Sequence, residues 1–497
     1  MPTHASRTGL SHFPSAPSTT SRRHFRTLQG FCWLAPRCCQ AVHGSWMGLS
    51  RKHSTSLRQQ LATASDRLDV ILAFVRGQED AELLATLNNP AYAQSLSEIE
   101  RDLQPLLDVP AVPGEVDCFG DAAARFLVGY TQHLLGQPKT ALACCTAALA
   151  AWTEAPASWH YVSAQVAVAA GEIDLAELCL RGAIDRDVQH LPAHLELMGL
   201  LADRNDFRAC RALAGAAAAQ TPKLHWSSEW QRPDHMLPGL RAAAWHEPAS
   251  FPWVEMLEAN AGVIKSELLA VVASQQQQRR SKAGGAAAAC CGSRSPGWVP
   301  VGAHQRADFG TDHTLVSEGG SWREFVLAGE ADDDDGIAET NRRRCPRTAA
   351  LLAGIPAVVG LAEAGLGEAL FSSLAPGSKL KPHCGGTNLR LTCHLGLVLG
   401  SGESGIICGG EKRTWEEGKC LVFDDSFEHA VFHNTPTAKT DANHTCNGER
   451  VVLLVRFWHP GVMHLGGWEK ALDHVESAMG AQLDAALPPV QLGEISS

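Results

Sequence analysis

The spacing of apolar positions changes character along this chain. Between residues 66 and about 110 they recur at helical intervals, with Leu68, Ile71, Leu72 and Val75 on one face. From 120 to 220 the helical pattern repeats. GQPKTALACCTAAL from Gly136, GEIDLAELCLRGAI from Gly171 and RNDFRACRALAGAA from Arg204 align, and their alanines Ala141, Ala176 and Ala209 lie 35 and 33 residues apart. A period near 34, with a small residue where two helices cross and Pro156 and Pro192 between units, predicts TPR-like repeats. Each such unit buries its apolar face only by stacking on the next. The aromatic positions of that repeat are poorly filled, and a plain helical bundle is the simpler alternative.

The periodicity then stops. HWSSEWQRPDHMLPGLRAAAWHEPASFPWVEMLEAN, from His225, is dense in Trp and Pro. Pro233, Pro238, Pro248 and Pro252 forbid a continuous helix until about Trp253, which predicts an aromatic strap across a domain. QQQQRRSKAGGAAAACCGSRSPG follows, a low-complexity stretch expected to be poorly ordered from about 273 to 297. From 365 onward short runs alternate with period two between Gly turns: NLRLTCHLGLVL, GIIC, KRTW, KCLVFDD, HAVFHN and RVVLLVRFW. That pattern predicts an antiparallel sandwich or barrel, with a tight turn at Glu417-Gly418. Asp332 to Asp335 and the stretch from 436 read as surface insertions.

The predicted organisation of the 497 residues is therefore α+β and multidomain. A basic segment spans 1–65, TPR-like helices 66–225, a Trp/Pro-rich connection 226–272 and a linker 273–300. A β domain covers 301–470 and a helical tail 471–497.

Composition narrows the function. A net charge of −11 argues against a general nucleic-acid binder, which needs a basic field. No run approaches the 18 apolar residues of a membrane span. The 16 cysteines include adjacent pairs but no Cys-x-x-Cys, so they read as reduced, buried thiols. Against that, Asn443-His-Thr445 is a glycosylation sequon. Residues 1–65 lack acidic side chains while Arg7, Arg22, Arg23, Arg26 and others are basic. That composition fits an organellar transit peptide or a disordered basic tail, so the compartment stays open between organelle and cytoplasm, with the secretory pathway not excluded.

Three features of the β region converge on chemistry. His383 precedes a strand and His429 follows another, and on a small barrel such residues can meet at one mouth to hold a metal. Arg450 opens the apolar strand VVLLV, where a buried guanidinium needs an anion such as a ligand carboxylate. From the residues alone, a structural role for these side chains is the commoner outcome.

KPHCGGTNLRL, HLGLVL, KRTWEEGKCLVFDDSFEHAVF and RVVLLVRFWHP resemble the aspartyl/asparaginyl β-hydroxylase family of Fe(II)- and 2-oxoglutarate-dependent oxygenases. The resemblance runs from about Trp322 to Pro460, and a weaker one covers the helical region and QRPDHMLPGL…FPWVEMLEAN. It implies a double-stranded β-helix (jelly-roll, cupin-like) catalytic domain. It also implies iron held by two histidines, His383 and His429, with Gly385 where related oxygenases place a carboxylate. For 2-oxoglutarate it implies Arg450 and Ser372 at the distal carboxylate, Trp322 in the pocket and His394 near the proximal carboxylate. The family pattern has an arginine at position 392, where this chain has Thr392. Arg390, on the same strand face, is the expected substitute. Asp424, Asp425 and Glu428 are expected to hold the loop and orient His429, although ligation by Asp425 or Glu428 is a second reading.

The implied reaction consumes 2-oxoglutarate and O2, releases succinate and CO2, and hydroxylates the β-carbon of Asp or Asn in a peptide presented near the helical repeats. Alternatives are hydroxylation of lipid acyl chains, halogenation at a site lacking the acid, and a silenced oxygenase on a TPR-like scaffold.

Overall fold

The computed structural model describes residues 63–64, 90–107, 118–220, 226–282, 297–301, 316, 320–329, 336–400, 402–435, 448–464 and 470–471. The helical face Leu68–Val75, the basic segment before residue 63, the aspartate run 332–335 and the insertion from 436 to 447 lie outside the described residues. The chain divides into two compact units between Glu229 and Trp230.

The first unit is helical: α1 (Pro90–Leu107), α2 (Cys118–Leu134), α3 (Pro138–Ala151), α4 (Ala157–Ala170), α5 (Ile173–Arg186), α6 (Leu191–Asp203) and α7 (Phe207–Gln220). Each packs mainly on its sequence neighbour, and α3, α5 and α7 start 35 and 34 residues apart. Local chemistry sets the boundaries. Pro138 opens α3 at a position that needs no N–H, and Gly171 ends α4 with φ 83°. Ala141 and Ala176 are wholly buried and Ala209 partly so. At Gly129 a Cβ would lie 2.7 Å from Cys145 Sγ and 2.9 Å from the Ala141 carbonyl oxygen, so α2 and α3 cross where only glycine fits. Phe126 stacks on the fully buried Trp159 with ring centroids 4.3 Å apart. Burying a side chain of that size contributes roughly 1.5–3 kcal/mol.

The second unit carries the sheets. Its strands are β1 (Trp245–His246), β2 (Val299–Pro300), β3 (Trp322–Ala328), β4 (Ala369–Leu374), β5 (Lys379–His383) and β6 (Arg390–Val398), then β7 (Ser404–Cys408), β8 (Glu411–Arg413), β9 (Cys420–Phe423), β10 (His429–His433) and β11 (Arg450–Trp458). They form a seven-stranded sheet, β1-β9-β6-β11-β4-β3-β2, and a four-stranded sheet, β5-β10-β7-β8, both antiparallel. The helices are α8 (Pro252–Ala259), α9 (Ala261–Lys282), α10 (Ile337–Arg344), α11 (Pro346–Ala353), α12 (Pro356–Glu363) and α13 (Pro460–His464).

Alternation along β6 and β11 sorts the two faces of the large sheet. Leu391, Cys393, Leu395, Val451, Leu453, Val455 and Phe457 pack outward on Val254, Leu257, Ile264, Leu268 and Val358 of the helices. Leu374, Phe423 and Val452 pack inward on Leu380, Ile406, Cys408 and Val431 of the small sheet. The inner face is where the polar residues Arg390, Thr392, His394, Arg450 and Arg456 fall.

Two sequence-based boundaries move. Sheet structure begins at Trp245, well before residue 365, with β1 only two residues long and β3 and β4 so well covered on both faces that they show no alternation. Helix α9 runs on to Lys282, into the stretch read as linker, since Gln, Arg and Lys are good helix formers despite their low complexity. Residues 283–296 lie outside the described residues. In the Trp/Pro-rich run, β1 joins the sheet edge at β9, and Gln231 and His235 bridge to Phe427 and Thr387.

Candidate functional site

His383 ends β5 and His429 begins β10, and the two are directly opposed in the ladder with ring centroids 4.1 Å apart. Each ring is oriented by a backbone carbonyl. His383 Nδ1 lies 2.7 Å from the Lys381 oxygen and His429 Nδ1 2.9 Å from the Phe427 oxygen. Donation from Nδ1 puts the lone pair of each ring on Nε2, the tautomer that ligates a metal. Burial, with His383 beside it, pushes His429 down to about 3, which keeps the imidazole neutral. Two neutral imidazoles are a donor set suited to iron, zinc or copper. Among the described residues no group of three or more His, Cys, Asp or Glu side chains is arranged to hold a metal.

Gly385 cannot be exchanged for an acid without moving its surroundings. A Cβ there would meet Asp425 Cγ and Oδ1 at 2.9 Å, and the Gly385 N–H donates to the Asp425 carbonyl oxygen at 2.6 Å. The carboxyl of Asp425 therefore fills the space that a side chain at 385 would claim.

The three loop carboxylates have separate tasks, and none orients His429. Asp424 accepts from Ser426 N at 2.9 Å and Oγ at 2.5 Å, and from Gln231 Nε2 at 3.2 Å, which fixes the loop. Burial pushes it up to about 7. Glu428 makes a buried ion pair with Arg232 of the strap. Asp425 lies 3.3 Å from Arg390 and 3.4 Å from Arg456. Burial would raise its carboxyl, yet the two guanidinium groups outweigh it and hold the carboxyl below its ordinary value. The expected orienting role thus passes to the carbonyls of Lys381 and Phe427, which sit in the fixed strand ends themselves.

Arg450 is almost wholly buried, and its Nε and Nη1 have no hydrogen-bond partner. Its guanidinium carbon sits 4.6 Å from the Trp415 ring centre, and burial pushes it down to about 9. Among the described residues no carboxylate is within ion-pair distance of it. A ladder of rings links this cation to the histidine pair: Trp415 to His394 at 5.9 Å, His394 to Phe423 at 5.0 Å and Phe423 to His429 at 5.7 Å. Both ring nitrogens of His394 and the Thr392 hydroxyl are buried without partners. Trp322 Nε1 donates to Ser372 Oγ at 3.0 Å, and Trp322 and Arg450 flank Leu374 in adjacent strands. Arg390, expected beside Thr392, instead donates to the Leu366 carbonyl at 2.7 Å and faces Asp425.

The structure thus sets His383 and His429, paired on the small sheet, within ring contact of Phe423 and so of His394 on the large sheet, whose β6 also carries Thr392 and Arg390. Arg450, Trp322 and Ser372 lie toward the other end of the large sheet, on β11, β3 and β4. Sequence reasoning missed Arg456, Glu368, Trp415 and Arg232. Arg456 had a readable signal, because it lies an even number of residues after Arg450 on one strand and so shares its face. Arg232 had none, since its partner is 196 residues away.

Residues 258–460 match the family model described as Aspartyl/Asparaginyl beta-hydroxylase. Among curated proteins, the chain is 40% identical over 144 residues to Aspartate beta-hydroxylase domain-containing protein 2 of Homo sapiens, covering 29% of this chain and 35% of that protein. It is 31% identical over 239 residues to Aspartyl/asparaginyl beta-hydroxylase of Homo sapiens, covering 48% of this chain and 25% of that protein. Against Aspartate beta-hydroxylase domain-containing protein 1 of Mus musculus it is 41% identical over 136 residues, 27% of this chain and 34% of the relative. The matches span between a quarter and about a third of the length of these relatives. Over residues 258–460 the chain is therefore similar to the aspartyl/asparaginyl beta-hydroxylase family.

Proposed function

We propose that this chain is an Fe(II)- and 2-oxoglutarate-dependent dioxygenase that hydroxylates the β-carbon of Asp or Asn residues in a polypeptide, on a double-stranded β-helix. The observation that carries the reading is Arg450, a buried guanidinium with no carboxylate in ion-pair distance among the described residues, linked through the rings of Trp415, His394 and Phe423 to the histidine pair. Such a charge is costly unless a ligand supplies the counter-charge, and a dicarboxylate does so.

His383 and His429 would hold the iron through Nε2, and the bound metal would supply O2 activation at the oxo-acid end of 2-oxoglutarate. This chain's own residues do the positioning. Arg450 takes the distal carboxylate, with Ser372 and Trp322 fixed to one another beside it. His394 offers an unpartnered nitrogen toward the proximal end. Two neutral imidazoles leave the ion at +2 and the dicarboxylate brings −2, so co-substrate binding neutralises the centre. The aromatic lining of Trp415 and Phe423 keeps water from the reacting atoms. An ionised Asp425 in the space beside Gly385 repels a halide, which favours hydroxylation over halogenation. Stacked helix pairs such as those of residues 118–220 offer an extended surface for a polypeptide substrate.

Succinate formation by the full chain with Fe(II), ascorbate and 2-oxoglutarate tests the reading, with His429→Ala as control. Succinate that disappears in the control is expected. None above the control, from a protein with an intact cooperative melt, would refute it.

A further inference from the structure

Thr392 and Arg456 face each other directly across β6 and β11, in a row that continues to Phe423 on β9. Thr392 is 2% exposed and its hydroxyl has no partner, so β6 brings a polar but uncharged side chain to this part of the inner face. The guanidinium of Arg456 approaches from the opposite strand. It pairs with Glu368 and lies 3.4 Å from Asp425 Oδ2, and Asp425 in turn sits against Gly385, two residues after His383. Glu368, Arg456, Asp425 and Arg390 thus form an alternating chain of charges that runs up to the histidine pair.

From this juxtaposition we propose that Arg456 supplies, from the neighbouring strand, the cation that Thr392 does not, and that it binds the oxo-acid carboxylate of 2-oxoglutarate while Arg450 binds the far one. The proposal rests on the co-substrate reading above and assigns this chain its own means of meeting it. A guanidinium is a planar fork with five donors, able to bridge protein carboxylates and a ligand at once. Two clamping acids pre-set its orientation, which lowers the entropy lost on binding. Arg390 is less well placed for this role. It pairs with Trp458, one step further along the same face from Thr392, whereas Arg456 stands directly opposite Thr392. In size, threonine at 392 leaves room on the inner face for the longer side chain opposite.

The test compares two ligands by calorimetry on the full chain with Fe(II) under anaerobic conditions. 2-Oxoglutarate carries both carboxylates, whereas 4-oxopentanoate keeps the ketone and the far carboxylate and has a methyl group at the oxo-acid end. Arg456→Met is expected to weaken 2-oxoglutarate binding about 10- to 100-fold, the size of a charge-assisted hydrogen bond, and to change 4-oxopentanoate binding less than about 3-fold. The exchange variant Thr392→Arg with Arg456→Thr, which moves the cation back across the ladder, is expected to recover most of the loss. Equal weakening of both ligands would assign Arg456 a structural role and overturn the proposal. Unchanged 2-oxoglutarate binding in Arg456→Met would overturn it alone, leaving the co-substrate reading intact. Wild-type protein that binds iron but not 2-oxoglutarate would remove that reading and the proposal with it.

Discussion

Installing the acid that Gly385 lacks is expected to damage this site. On a ligand-counting view, Gly385→Asp completes a facial triad and tightens metal binding. The geometry argues otherwise, because the new Cβ alone would stand 2.9 Å from Asp425 Cγ and 3.1 Å from its carbonyl oxygen. Asp425 cannot swing aside cheaply, since Arg390 and Arg456 hold its carboxylate and its carbonyl accepts the Gly385 N–H. Overpacking of this kind costs about 1–3 kcal/mol, which Gly385→Ala isolates. A second carboxylate adds repulsion of roughly 4 kcal/mol for like charges about 4 Å apart at intermediate screening, part of it relieved by protonation. At about 2–4 °C per kcal/mol for a unit of this size, Gly385→Ala should melt roughly 3–10 °C lower and Gly385→Asp lower again. Thermal unfolding of the metal-free full chain reads the stability, and anaerobic Fe(II) titration reads the affinity. Gly385→Asp with Asp425→Ala should recover much of the melting temperature and bind iron more tightly than Gly385→Asp alone. A single Gly385→Asp variant that melts with the wild type and binds iron more tightly would refute the steric argument.

Arg450 and the helical unit each give a further expectation. Arg450→Met removes a buried, unpartnered charge, so the variant without ligand should melt at or above the wild-type temperature. It should also lose stabilisation by 2-oxoglutarate, which in the wild type is expected to reach about 2.7 kcal/mol at a hundred times Kd. A lower melting temperature with ligand stabilisation retained would contradict this. In the helical unit, His190 Nδ1 accepts from the Ala193 N–H at the start of α6, and burial pushes the ring down to about 4. Its ordinary value is 6.5, so the unfolded chain binds the proton first. The stabilisation is complete above pH 6.5 and is lost as pH falls toward 4, by roughly 3 kcal/mol in all. His190→Asn, which can still cap the helix, should flatten that part of the pH profile in chemical denaturation. An unchanged slope would remove His190 as its source.

What the sequence made legible follows from how local each feature is. The helix starts and the 34-residue period were readable because Pro138, Gly171 and the small residues at crossings act within one or two turns. Strands β6, β7, β9, β10 and β11 announced themselves by alternation or by short apolar runs between glycines. β3 and β4 did not, because both faces of each are buried and period two vanishes. In the site, His383, His429 and Arg450 stood out through motif and context. The partners that tune them did not, since Arg232–Glu428, Arg456–Glu368 and Arg390–Asp425 join residues between 35 and 196 positions apart.

On the proposed function, these long-range pairs and the local strand geometry together account for how a two-histidine centre would keep its shape without a third protein ligand. In a triad the carboxylate helps to fix the metal and is fixed by it. Here the positions of both histidines are set by the protein itself, by strand pairing between His383 and His429 and by their carbonyl acceptors. The negative charge has moved one step outward to Asp425, where Arg390 and Arg456 keep it ionised and in place. The unmet cation has moved inward, to Arg450 at the far end of β11. A centre arranged in this way stores its instability in a guanidinium that only an anionic ligand relieves. If Arg450 takes the co-substrate as proposed, affinity for it and stability of the ligand-free protein are opposed at this residue, and substitutions there should move the two in opposite directions.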